Sequence, residues 1–363
     1  MRVLDLSRVL AGPLCAMQLG DFGADVIKVE RPGTGDDTRG WGPPFDERGE
    51  AAYFLSINRN KLSIALNFDD ETDRETLCAL ARDADVVIEN FVSGTLERRG
   101  IGADDLLRTN AKLVWCTISG FGAESTRPGY DFVVQAESGW MAVTGEPDGS
   151  PMKIGVALAD VMAGKDALSA ILAALVARDA GTLGAQPADR RLHVSLIQSA
   201  TSALVNVAQN AAVTGADAKR WGNAHPNLCP YQTFDAADRP MVIAVGTDAQ
   251  WLVCASVLGL DDLAADASLA TNAGRLRARE RVVRAVSTAV ASRTAAHWLH
   301  VLQNAGVPCG VVKSVREALE VVPVSPLTGV EPVRPASVRH PPPRLDEHGA
   351  LIRKHGWGVF ARG

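Results

Sequence analysis

The apolar positions of this chain fall into short buried runs that alternate with segments of helical spacing. Val3-Leu4-Asp5-Leu6 reads as a short buried strand. A Gly/Pro-containing loop, Ala11-Gly12-Pro13, and a helical pattern through Leu19 follow, and Ala24 to Glu30 is the next strand. Strand, tight loop, helix and strand within ~30 residues form a βαβ unit, which requires a parallel sheet. A looser repeat continues: Lys61 to Phe68 as a strand, Glu71 to Arg82 as a helix, then Asp85 to Glu89 and Leu113 to Ser119 as strands. One long Ala/Leu-rich helix is predicted from Asp160 to Asp179, with a strand over 192–196 and a helix over 198–212 after a turn-rich loop.

This alternation argues for an α/β, Rossmann-like layer. Composition shifts near Gly215 to Pro230, where Gly, Pro, Asn and other polar residues cluster, and the pattern predicts a linker there. Beyond it, Met241 to Val245 is a strand; 251–258, 273–292 and 295–305 are helical; and 311–322 begins with another strand. This is a smaller α+β unit with its own core. The Pro/Val-rich tail from Pro332 to Pro343 cannot be regular helix and is placed to run back over the first domain.

Composition narrows the function classes. The 363 residues are 47% apolar and 22% charged, with net charge −5, which describes a globular chain of about two domains. No basic run stands out, so nucleic acid is not expected as a partner. The apolar stretch Ala167 to Ala177 is far short of the ~20 residues of a membrane span, and the N-terminus shows no signal-peptide pattern. Six scattered cysteines without CxxC spacing read as reduced core thiols of a cytoplasmic protein. Seven histidines show no metal-ligand spacing, so no metal is expected.

Asp160 is the leading chemical candidate. It lies where the run Gly155 to Ala159 meets the long helix. A carboxylate there can face free helical N–H groups, which together with the dipole favour its ionised form. It reads either as an N-cap or as a nucleophile toward an acyl carbon. The first βαβ turn, Ser7 to Pro13, carries one glycine and lacks the dinucleotide fingerprint. Arg31 and Arg98 each follow a parallel strand, where ligands of open α/β sheets gather; each is either a solvated surface residue or a phosphate contact. Asp131 is placed to cap the helix that follows it, and Tyr130 is either a packed turn aromatic or a hydroxyl donor aimed into a cleft. No GxSxG elbow occurs.

Taken in order, Val3 to Pro13, Gly23 to Glu30, Asn60-Lys61, Val87 to Phe91, Gly129-Tyr130-Asp131, and Asp160 with Gly164 resemble the class III CoA transferases, relatives of the 2-methylacyl-CoA racemases. The resemblance is strongest from residue 3 to about residue 210. It implies a large Rossmann-like CoA-binding domain from residues 1–212 and 325–363, a small α+β domain from 213–324, and an interlocked homodimer. It implies no permanently bound cofactor: coenzyme A or acyl-CoA is substrate, with a small carboxylic acid, possibly a dicarboxylate, as acceptor. Asp160 matches the family's nucleophile and Tyr130 a tyrosine near the reacting centre. Arg31 and Arg98 match CoA-contacting positions, and Leu10, Ala11 and Asn90 join the CoA-binding set. Racemases carry histidine where this chain has Tyr130, which favours transfer; racemisation and an inactive CoA-binding dimer are the alternatives. Leu10 stands where oxalate-specific members have glutamine, so oxalate is not the expected acceptor.

Overall fold

A computed structural model describes residues 1–362. The chain divides into two compact units. Unit 1 comprises Met1–Met141, Lys153–Ala218 and Val322–Gly363; unit 2 comprises Ala142–Met152 and Lys219–Val321. The inserted segment Ala142–Met152 departs from the expected division. Its place in unit 2 has a visible cause, since Arg220 donates to the carbonyls of Glu146 (3.1 Å) and Gly149 (2.8 Å).

Unit 1 begins with β1 (Arg2–Asp5), α1 (Ala11–Asp21), β2 (Asp25–Glu30), α2 (Ala52–Leu55), β3 (Lys61–Ala65) and α3 (Glu71–Arg82). It continues with β4 (Val86–Glu89), α4 (Ala103–Thr109), β5 (Val114–Ser119), α5 (Asp131–Glu137) and α6 (Trp140–Val143), which runs into unit 2. Then come α7 (Leu158–Asp179), β6 (Arg191–Ser195), α8 (Leu196–Ser202) and α9 (Asn206–Thr214). The six strands form one parallel sheet in the order β3-β2-β1-β4-β5-β6, the doubly wound arrangement the alternation predicts. Alternate strand residues feed two cores. Val3, Val26, Val86 and Ile88 pack with α1 and α7; Leu4, Ile27, Ile64 and Val87 pack with α3 and α4. Burial of both sheet faces accounts for the continuous apolar runs. The single helix expected over 198–212 is broken between α8 and α9, where Val205 takes a φ of 45°.

Unit 2 is an antiparallel sheet of β7 (Tyr231–Asp235), β8 (Pro240–Ala244) and β9 (Cys309–Val311), in that order. Its helices are α10 (Asp248–Val257), α11 (Asp261–Ala265), α12 (Asn272–Arg277), α13 (Arg279–Val290), α14 (Ala295–Asn304) and α15 (Val315–Leu319). They bury Trp251, Val282, Val286 and Leu302 against the sheet. The helix expected over 273–292 is two helices meeting at Ala278, and the strand expected to begin at Val311 ends there.

Back in unit 1, the tail contributes the hairpin β10 (Val324–Ser325) and β11 (Gly329–Val330), then α16 (Gly349–His355). Between them it lies along the open edge of β3. The Ser63 N–H reaches His348 Nδ1 (3.3 Å) and the Ala65 N–H reaches Asp346 Oδ1 (2.8 Å). The strap thereby satisfies edge donors that a bare strand would leave exposed.

Candidate active site

Asp160 is the third residue of α7, and its carboxyl is not the helix cap. The N-cap is Ala157, whose methyl side chain offers no acceptor. Asp131, the first residue of α5, supplies the cap from outside: its Oδ1 accepts from the N–H groups of Ala159 (2.7 Å) and Asp160 (3.3 Å). A carboxylate on these donors is favoured by charge-assisted bonding and by the dipole. The expectation that Asp131 caps its own helix is therefore corrected. Gln135, one turn further along α5 and fully buried, completes the arrangement. Its Nε2 donates to Asp131 Oδ2 (2.6 Å) and to the Val156 carbonyl (3.1 Å), while its Oε1 accepts from the Ile154 N–H (2.8 Å).

With those N–H groups taken, burial pushes the Asp160 carboxyl up to about 7, and the like charge of Asp131 adds to the rise. The expected preference for the ionised form is thus reversed. The helix terminus has spent its donors on Asp131, and desolvation decides the balance. Among the described residues no side chain or backbone donor holds the Asp160 carboxylate. It faces a cavity of about 210 Å³ that it shares with Arg8, Leu10, Ala11, Asn90, Arg127 and Tyr130.

The loop from β1 to α1 forms one wall of this cavity. Asn90 fixes it from the end of β4: its Nδ2 donates to the Arg8 carbonyl (2.7 Å) and its Oδ1 accepts from the Arg8 N–H (2.9 Å). Asn90 therefore acts on this wall as a backbone clamp. The next residue, Val9, has a φ of 70°, a strained conformation for a β-branched side chain, and its N–H reaches Asp36 (3.3 Å). Beneath lies a buried charge network. Lys28 donates to the Ser7 carbonyl (3.0 Å) and to Asp36 (3.0 Å). Lys61 donates to Asp5 (2.8 Å), the Pro13 carbonyl (2.8 Å) and Asn58 (2.9 Å). Burial opposes the charge on Lys28, yet Asp36 and Asp5 outweigh it and hold the ammonium at about 12. At Lys61 burial wins and draws the group down to about 8. Leu10 and Ala11 are buried at the mouth of α1. Gly164 lets α7 approach there: a Cβ on it would lie 2.7 Å from the Ala11 carbonyl oxygen.

Tyr130 is 59% exposed on the cavity wall, so it is not a packed turn aromatic. Sequence reasoning passed over Tyr53 on α2. Burial, then the charges of Asp160, Asp131 and Asp36, push its phenol to about 12, which keeps the hydroxyl protonated beside the carboxylates. Trp41 meets Tyr53 edge-on, with centroids 5.2 Å apart.

A second cavity, of about 340 Å³, opens at the carboxyl ends of β1 and β2. Arg31 lines it and bonds Thr34 (2.8 Å) and Asp37 (3.4 Å). Arg98 does not line it and is exposed; Arg99 takes that place, tied to Asp69 (2.8 Å) and the Thr95 carbonyl (3.0 Å). Arg31 and Arg99 thus line one cavity, while Arg98, its neighbour in the short 3-10 turn Glu97–Arg99, does not. Phe68 and Phe91 add aromatic surface, and Arg8 borders both cavities. Among the described residues no cluster of three or more His, Cys, Asp or Glu could hold a metal ion, and no helix is long and apolar enough to cross a membrane.

The family model for CoA-transferase family III matches residues 1–350. Over 376 aligned positions the chain is 38% identical to the succinyl-CoA:glutarate CoA-transferase of Mus musculus, with 98% of this chain and 85% of that one covered. It is 36% identical to the acetyl-CoA:oxalate CoA-transferase of Acetobacter aceti, covering 97% and 94%. Among solved structures, a CAIB/BAIF family protein from Brucella suis matches with a TM-score of 0.85 at 38% identity, covering 98% of this chain and 97% of that one.

Proposed function

Since the chain belongs to CoA-transferase family III and is an acyl-CoA:carboxylate CoA-transferase, we propose that Asp160 is the nucleophile that carries the acyl and CoA groups between its two acids. One observation carries this reading: the Asp160 carboxyl faces a cavity with no protein donor holding it, while its own main-chain N–H is occupied by Asp131. A desolvated carboxylate of raised basicity is a stronger nucleophile than a hydrated one.

The exchange runs in four steps. The Asp160 carboxylate attacks the thioester carbon of the donor; a C–O bond forms, the C–S bond breaks, and CoA thiolate leaves a mixed anhydride. The thiolate attacks the aspartyl carbonyl, forming a new C–S bond and expelling the donor acid as its carboxylate. The acceptor carboxylate then attacks this aspartyl thioester and releases thiolate again. Finally the thiolate attacks the acceptor's acyl carbon, giving the new acyl-CoA and restoring Asp160. No net proton is consumed. Tyr130, on the wall of the Asp160 cavity, supplies a hydroxyl donor toward the oxyanion that forms at each step.

CoA lies with its phosphates toward Arg31 and Arg99 in the larger cavity, and Arg8 spans the way to Asp160. The acceptor is a small dicarboxylate. An oxalate-named relative at almost the same identity as the glutarate one means that overall identity does not select the acid. The working form is a homodimer in the cytoplasm. Helix α9 buries none of its residues within the chain, and Val205 and Val213 beside and on it are 70% and 74% exposed, as a surface awaiting a second copy requires. Six unpaired cysteines suit a reducing compartment.

The test is to incubate the protein with labelled acyl-CoA, trap with hydroxylamine or borohydride, and map the modified residue. A single modification at Asp160, absent in Asp160→Ala, is expected. Retained CoA exchange with Asp160 unmodified overturns the mechanism. A panel of dicarboxylic and monocarboxylic acids against succinyl-CoA and acetyl-CoA identifies the acceptor.

A further inference from the structure

We propose that Asp131 and Gln135 form a clamp that sets both the place of Asp160 and the charge it faces, making them positioning residues for the nucleophile. This rests on the reading of Asp160 given above. The geometry is a closed circuit. Asp131 Oδ1 receives the N–H groups of Ala159 (2.7 Å) and Asp160 (3.3 Å), so the backbone at the nucleophile hangs on one carboxylate oxygen. The other oxygen receives Gln135 Nε2 at 2.6 Å. Gln135 cannot turn its amide over without losing two further bonds, because Oε1 takes the Ile154 N–H (2.8 Å) and Nε2 also serves the Val156 carbonyl (3.1 Å). The segment leading into α7 and the start of α7 are thereby tied to the same turn of α5.

The cap also has an electrostatic consequence. A neutral cap such as serine would satisfy the same N–H groups. Aspartate in that place puts a second negative charge next to the nucleophile and opposes its ionisation. The other titratable or charged groups around Asp160 are Tyr53 on α2 and, about the cavity, Asp37, Arg8, Arg127 and Tyr130. Arg8 pairs with Asp37 (3.3 Å) and Arg127 with Glu137 (2.6 Å), so both cations already face acidic partners. Asp131 is thus the charge that biases the nucleophile. A carboxylate that binds its proton more tightly is also a better attacking group once bare, while its anhydride forms and breaks at neutral pH.

The experiment uses the full chain and two variants. Asp131→Asn keeps an oxygen for the α7 N–H groups and removes the charge, and it turns its amide NH2 toward Gln135 Nε2, giving up the bond that Asp131 Oδ2 accepts at 2.6 Å. Gln135→Met keeps the bulk and removes the bonds. Carbodiimide labelling of Asp160, read by mass spectrometry across pH, follows its protonation without relying on turnover; CoA exchange across pH follows activity. In Asp131→Asn the Asp160 labelling midpoint should fall by about one pH unit, since burial supplies the larger part of the rise and remains. The acid limb of kcat/KM should move with it. In Gln135→Met, kcat should drop at least about tenfold with KM for acyl-CoA little changed, because a nucleophile shifted by a fraction of an ångström still sits in an intact binding cavity. Urea midpoints establish that each variant folds. An Asp160 midpoint in folded Asp131→Asn equal to wild type overturns the electrostatic role. Unchanged kcat in folded Gln135→Met overturns the positioning role. If the labelling midpoint moves while wild-type protein shows no CoA exchange, the clamp stands and the proposed chemistry fails.

Discussion

Asp160→Asn should stabilise the protein, and increasingly so as pH rises. Burial first, then the Asp131 charge, lift the Asp160 carboxyl from 3.8 to about 7. Between those values the native state holds a proton that the unfolded chain has already released, so stability falls as pH climbs through the window. At roughly 1.4 kcal/mol for each tenfold change in proton affinity, the full penalty above pH 7 is about 4 kcal/mol. Asparagine has nearly the same shape and no charge, so the variant escapes this penalty. About 2.5 kcal/mol of the difference should develop between pH 5 and pH 8.5. The assay is urea unfolding of both proteins at one fixed protein concentration, at pH 5, 6, 7 and 8.5, with common m-values confirming comparable transitions. The variant should be more stable at pH 8.5, with the gap narrowing steadily toward pH 5, and it should lose transfer activity. A gap that stays constant across this range refutes the reasoning. Stability surrendered to hold a reactive group is expected where function demands strain or desolvation.

Three further outcomes test other parts of the structure. Gly164→Ala places a methyl 2.7 Å from the Ala11 carbonyl oxygen and should cost about 1–3 kcal/mol by forcing α7 off α1; an unchanged melting temperature would show that the helices have room to spare. Lys61→Met leaves Asp5 charged and buried without its nearest cation, so it should cost about 3–5 kcal/mol in urea unfolding, and Lys61→Met with Asp5→Leu should cost less; a double variant as unstable as the single contradicts this. Arg99→Ala should raise KM for acyl-CoA several-fold while Arg98→Ala leaves it near wild type; the opposite ranking would return the phosphate contact to the exposed residue.

Much of unit 1 was legible because its strands are buried on both faces and its helices carry long apolar stripes. Val3 to Leu6, Ala24 to Glu30 and the helix through Asp179 are set by local pattern, and β1, β2 and α7 follow it closely. Asp160 was legible as a residue at a helix start. Its charge state was not, because that depends first on burial and then on Asp131, and both arise only in the fold. Gln135 carried a signal that went unused: it stands four residues after Asp131 in a segment read as helix, the spacing at which side chains meet on one face. Arg98 and Arg99 are adjacent, and no pattern of spacing selects between neighbours in a one-turn helix. Tyr53 sits in a four-residue helix too short to show a period. In unit 2 the strand over Tyr231–Asp235 adjoins a polar, Pro-rich stretch, and that composition masked it.

The strap along β3 has a bearing on biogenesis. Residues 337–348 bond to Asp21, Asn60, Ser63 and Ala65, so the sheet begun by the first residues cannot seal its margin until the strap has left the ribosome. The contiguous span Lys219–Val321, by contrast, is synthesised in one piece and before that closure. The nascent chain therefore carries an unsealed strand margin until residues 337–348 are made, and a chain that stopped short of them would leave that margin open.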